Sequence, residues 1–89
     1  MAVRFVDYYQ GPLAELTQAV SARDVGEVRR LAHSLKGSVS YFEVEPLVRN
    51  LKALQEAGES EDWTASNRLL ATVTGELGAF AEALRKWAG

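Results

Sequence analysis

The chain contains no cysteine. That removes disulfide frameworks and thiolate metal sites, and it is compatible with a reducing compartment. Only two prolines punctuate it, Pro12 and Pro46, and both sit where a helix can begin. There is no basic excess: ten Lys and Arg stand against twelve Asp and Glu, for a net charge of −2. A nucleic-acid binder normally carries the opposite balance. No apolar run approaches the roughly 20 residues of a membrane span, and no signal-peptide pattern opens the chain. The expectation is a cytoplasmic protein with no membrane insertion and no nucleic-acid partner. At 89 residues, positions 1–89 are read as a single domain.

Strand signals are also scarce, and helical periodicity dominates. The spacing predicts helices over residues 3–10, 12–21, 25–42, 46–57 and 61–87. The first is an aromatic-rich segment with Phe5, Tyr8 and Tyr9, and Gly11-Pro12 predicts a break or kink after it. Leu13, Leu16 and Val20 supply the stripe of the next helix. Asp24 is an N-cap candidate. Behind it, Val25, Val28, Ala32, Leu35, Val39 and Phe42 recur at intervals of 3, 4, 3, 4 and 3, which is the buried seam of an amphipathic helix. Pro46 opens the following helix, with Leu47, Leu51 and Leu54 on one face and Gly58 as its expected stop. Ser60 can cap the last helix. Its apolar residues are Trp63, Leu70, Val73, Leu77, Phe80, Leu84 and Trp87. Gly75 and Gly78 within it offer room for close contact with a neighbouring helix. The fold class expected is all-α: an antiparallel up-down four-helix bundle with a short or kinked N-terminal helical extension.

The single histidine does not lie on the buried seam. His33 follows Ala32 and points about 100° away from that stripe. Its neighbours one turn away are Arg29 and Arg30 on one side and Lys36 and Gly37 on the other, with Ser40 a turn further on. The exposed face of this helix is therefore expected to be a basic patch around an imidazole. Gly37 costs a mid-helix position about 0.5–1 kcal/mol relative to alanine, and in return leaves open space beside the ring. Neighbouring cations disfavour protonation of an imidazole, and the neutral ring is the nucleophile. Cations also hold a phosphoryl group once it arrives.

A lone surface histidine is usually just solvated, and a mid-helix glycine often reflects packing. His33, Lys36 and Gly37 together, off the core stripe, favour function. Other chemistries fit less well. No carboxylate lies one turn from His33, so no metal site is expected, and Arg30 occupies the glutamate position of a Glu-x-x-His di-iron pattern. The Ser34 and His33 side chains diverge on a helix, which disfavours a Ser-His pair. There is no glycine-rich phosphate loop. Glu43 and Glu45 flank a helix junction and read as solvated.

The run Ala32-His33-Ser34-Leu35-Lys36-Gly37-Ser38 resembles the A-H-x-L-K-G-S signature of histidine-containing phosphotransfer (HPt) domains. Residues 13–32 resemble the family's helix–turn–helix lead-in, and residues 44–58 its following helix. The resemblance implies a four-helix bundle that carries phosphoryl groups to and from receiver-domain aspartates, or takes them from a sensor histidine kinase. His33 would be the phosphoacceptor through Nε2. Lys36 would steady the phosphoryl oxygens, and Gly37 would give the partner clearance. Gln55, 22 residues after the histidine, falls where the family often has a Gln or Glu that hydrogen-bonds the imidazole. Arg29, Arg30, Gly37 and Ser40 would meet the partner. Glycines common in the family ten and seven residues after the histidine are replaced here by Glu43 and Ser40. The resemblance implies a stoichiometric phosphocarrier rather than an enzyme, with no cofactor of its own, because the partner supplies Mg²⁺ and the acidic pocket. Two other readings stay open at this stage. One is a helical interaction scaffold in which His33 is incidental. The other is an adaptor that binds anionic ligands at the same face.

Overall fold

The computed structural model describes residues 9–42 and 44–88, and these are helices joined by short turns. Helix α1 spans Gln10–Ser21, α2 Val25–Ser40, α3 Glu45–Glu59 and α4 Trp63–Ala88. Each helix packs on the next in sequence, and α1 also touches α4, which closes the ring. Connectors of three or four residues make consecutive helices antiparallel. The result is an all-α, up-down four-helix bundle. Among the described residues no helix is long and apolar enough to cross a membrane. The expected extension over 3–10 falls outside the described residues except for its end, and Gln10 is already the first residue of α1. Glu43 also lies outside them, as does the side chain of Trp87.

Pro12 falls in the first turn of the helix that runs to Ser21, as the sequence predicts, but that helix already begins at Gln10, so Gly11-Pro12 lies within it rather than forming a break. Pro12 is the third residue of the helix. The N–H groups of a first turn have no intrahelical acceptor, so a proline there loses nothing. The ladder runs straight on, with Leu13 N–H donating to the Tyr9 carbonyl at 3.0 Å.

Helix α2 starts as expected: the Asp24 carboxylate accepts from the Glu27 N–H at 3.2 Å. Val28, Leu31, Ala32, Leu35 and Val39 are all buried, and Val25 and Phe42 at the two ends are half-buried. The helix ends at Ser40 rather than residue 42. Phe42 N–H closes a tighter turn on the Val39 carbonyl at 2.9 Å.

Helix α3 carries half of the six fully buried leucines: Leu47, Leu51 and Leu54, against Leu16, Leu35 and Leu77 elsewhere. Each contributes about 1.5–3 kcal/mol over an exposed leucine, so α3 is the most firmly seated wall of the bundle. Gly58 is not its stop. It lies inside the helix, buried, and a Cβ built on it would sit 2.6 Å from Val28 Cγ1. The glycine lets α2 and α3 approach closely at that level.

The actual stops are two turns of the same construction. After α1, Arg23 takes a left-handed φ of 55°, and Asp24 N–H reaches back to the Ala19 carbonyl at 2.9 Å. After α3, Glu61 takes φ 58°, and Asp62 N–H reaches the Ala57 carbonyl at 2.9 Å. Both are Schellman-type endings without the usual glycine. In both, the next aspartate caps the following helix: Asp62 accepts from Ala65 N–H at 3.1 Å. Ser60 is therefore not the cap. Its hydroxyl donates back to the Glu56 carbonyl at 2.9 Å.

In α4 the buried stripe is Ser66, Leu70, Val73, Leu77 and Ala81. Trp63, Phe80 and Leu84 flank it, half-buried. Ser66 is tolerated in the core because its hydroxyl donates to the Asp62 carbonyl at 2.8 Å. A Cβ at Gly75 or Gly78 meets nothing within 4 Å among the described residues, so neither makes the close helix contact expected of it.

Candidate functional site

The α2 seam buries one side of the helix against α1 and α3 and turns the other outward. Arg29, Arg30, His33, Gly37 and Ser40 are exposed on that outer face, and Lys36 is half-buried at its edge. The helical spacing thus brings the six together as the sequence predicts. The exposed His33 ring makes no hydrogen bond among the described residues, so both its nitrogens are without a partner there.

Around the ring the surface is open. Apart from the backbone of its own helix, a Cβ at Gly37, one turn on, would meet no atom of the described residues within 4 Å. A bulky group can approach the imidazole along that side without displacing a side chain. The nearby hydroxyls turn inward: Ser40 donates to the Gly37 carbonyl at 3.1 Å and Ser38 to the Ser34 carbonyl at 3.2 Å.

The charge pattern differs from the expected patch of three free cations. Arg30 is held by Glu27 in a two-pronged contact, Nε to Oε1 at 2.9 Å and Nη2 to Oε2 at 2.7 Å. The Arg30 hydrogen bond holds the Glu27 carboxyl below its usual range, and Glu27 raises Arg30 in turn. Both side chains are well exposed, at 60% and 43%, so the pair adds little stability. Its effect is on the field, since it neutralises one of the three cations. Arg29 and Lys36 have no carboxylate partner among the described residues. The signal was in the sequence, because Glu27 stands one turn before Arg30.

Gln55 sits on α3, half-buried, between the fully buried Leu51 and Leu54 and the solvent. Its Oε1 is buried and accepts no hydrogen bond among the described residues. An unsatisfied buried acceptor costs about 1–3 kcal/mol. No hydrogen bond joins it to His33 here, so the structure leaves an acceptor without a donor on the helix that packs most extensively against α2. No group of three or more His, Asp or Glu side chains among the described residues is placed to hold a metal ion.

A family model, the Hpt domain, matches residues 1–87. No curated protein and no solved structure matches the chain.

Proposed function

The chain belongs to the Hpt domain family, and from that premise we propose that it is a phosphorelay carrier whose phosphoacceptor is His33. The observation that carries the reading is an unpaired, exposed imidazole on α2 beside the open space at Gly37. A purely structural helix face needs neither.

The chemistry asks for a nucleophile, in-line access and charge neutralisation. The Nε2 lone pair of neutral His33 attacks the phosphorus of an aspartyl phosphate on a receiver domain. The N–P bond forms as the P–O bond to the aspartate breaks, and the aspartate leaves as carboxylate. A histidine-kinase domain is the other donor, with the γ-phosphate of its ATP passing to His33 and ADP leaving, and onward transfer to a response regulator reverses the aspartyl step. Lys36 neutralises the phosphoryl oxygens, and Arg29 adds to the field. Arg30, Gly37 and Ser40 lie under the docked partner. Gln55 accepts from the Nδ1–H and so keeps Nε2 as the nucleophile. That role is supported by its buried, unsatisfied carbonyl oxygen. The receiver brings Mg²⁺ and the acidic pocket. This chain has no cofactor of its own, and as a stoichiometric carrier it turns nothing over alone. The reading puts it in the cytoplasm with kinases and response regulators.

The test is to incubate the chain with a phosphorylated receiver domain and follow acid-labile, base-stable phosphate. The wild-type chain should take up label and His33→Gln should not. Equal labelling of the variant would end the assignment. Binding without any transfer would point instead to an interaction scaffold.

A further inference from the structure

Tyr41 is the one large hydrophobic side chain exposed among the described residues, at 78%. An isolated exposed aromatic is unremarkable by itself, but its setting is not neutral. Tyr41 caps α2 with helical backbone angles, φ −57° and ψ −31°. It therefore continues the helical register, one turn beyond Gly37 and two beyond His33. Eight residues at 1.5 Å place it about 12 Å along the axis from His33. A standard protein–protein footprint of roughly 800 Å² per partner easily covers both.

The ring is also joined to the core through its neighbour. Its edge contacts Phe42 at 5.3 Å between centroids and 80° between planes. Phe42 in turn meets Phe80 of α4 at 5.2 Å and 67°. Phe42 and Phe80 both pack half-buried against the core. A ladder of three rings thus runs from α4 to the surface and ends on Tyr41. A tyrosine has only two side-chain torsions to order on binding, which is what makes such rings effective interface anchors.

We propose that Tyr41 is the apolar anchor on which the partner receiver domain docks over His33. The proposal rests on the phosphocarrier reading given above for the identity of the partner. The face has two chemically distinct ends. At the His33 end stand Arg29 and Lys36, cations without a carboxylate partner among the described residues, and at the other end stands the Tyr41 ring, with open space at Gly37 between them. The complementary partner surface carries carboxylates over His33 and an apolar patch two helical turns away. Charge steers the approach and the ring holds the complex.

The probe is the receiver domain that gives the fastest transfer, or failing transfer the tightest binding, among response regulators of the same organism. Binding is read by titration calorimetry without phosphate, and transfer is read separately. Tyr41→Ala should weaken binding by about tenfold or more, as loss of an interface anchor does. Tyr41→Phe should bind within about twofold of wild type, because the ring carries the contact. The Tyr41→Ala ratio should hold as salt rises, since screening acts on Arg29 and Lys36 and not on the ring. Phosphoramidate, a small donor that needs no docking and releases ammonia on transfer, should phosphorylate His33 in Tyr41→Ala and wild type alike. Unchanged receiver affinity in Tyr41→Ala overturns the proposal, as does a wild-type chain that binds no receiver. Binding that depends on Tyr41 with no phosphate transfer would instead remove the phosphocarrier reading and leave the docking surface standing.

Discussion

The Cα of Gly58 lies so close to Val28 that a Cβ on it would stand 2.6 Å from Val28 Cγ1 and 3.2 Å from Val28 Cβ. Val28 is β-branched and fully buried, so it cannot swing aside. The contact sets how near α3 comes to α2, and hence where Gln55 stands relative to the helix that carries His33. Gly58→Ala should destabilise the bundle by about 1–3 kcal/mol through overpacking, despite the better helix propensity of alanine. Denaturant melts of Gly58→Ala, Val28→Ala and the double variant give the check. The double variant should be more stable than the two single losses predict by addition. Simple additivity would mean that the two residues do not constrain each other.

Arg23 and Glu61 each end a helix with a positive φ, at 55° and 58°. A left-handed residue other than glycine costs about 1 kcal/mol or more. Arg23→Gly and Glu61→Gly should each raise stability by about 1 kcal/mol, read as a higher thermal midpoint. Neither residue lies on the outer face of α2, so phosphate uptake should not change. A lower midpoint in both would show that the side chains, not the backbone, hold these turns.

Gln55 separates stability from function. Gln55→Met removes the buried oxygen that has no partner. Stability should hold or rise by about 1 kcal/mol, since an unsatisfied acceptor is lost. Phosphate transfer to His33 should nevertheless slow, because nothing then fixes the ring tautomer. A variant that transfers at the wild-type rate would remove Gln55 from the site.

The Glu27–Arg30 pair gives a pH signature. Arg30 holds the Glu27 carboxyl below its usual range. A depressed carboxyl pKa means a contribution present above the unfolded-state value and lost as pH falls through the folded one. An NMR titration of the Glu27 carboxyl should move toward the ordinary range in Arg30→Gln. In the other direction, Glu27→Gln frees Arg30 and should speed association with an acidic receiver at low salt, with the gain fading as salt rises. An association rate insensitive to both changes would mean that Arg30 plays no part in docking.

The parts of this fold legible in the sequence are those governed by periodicity and local capping. The seam through Val28, Ala32, Leu35 and Val39, the leucines of α3 and the Asp24 cap all follow from spacing along one helix. The exposure of His33 follows from the same register. What spacing does not contain is the distance between helices. Gly58 and Gly75 look alike in sequence, yet one meets Val28 and the other meets nothing within 4 Å among the described residues. Helix ends were similarly hidden, because Arg23 and Glu61 hold conformations that glycine normally marks. Pro12 marked a first turn correctly, but the start of that helix at Gln10, two residues earlier, was not legible because a first-turn proline fits any of its first positions. At the site, the cations follow from the face of the helix, and the pairing of Glu27 with Arg30 follows from their spacing of three. Tyr41 continues the register of α2 one residue past its end, so its exposure was within reach of the same spacing, while the Phe42–Phe80 ring contact was not.

The most direct test of the central claim is to locate the phosphate itself. The chain, phosphorylated by a receiver domain, is digested at alkaline pH and mapped by mass spectrometry. The account predicts phosphate on the peptide that carries His33, on the imidazole. Phosphate on Ser34, Ser38 or Ser40 with an unmodified His33 would contradict it.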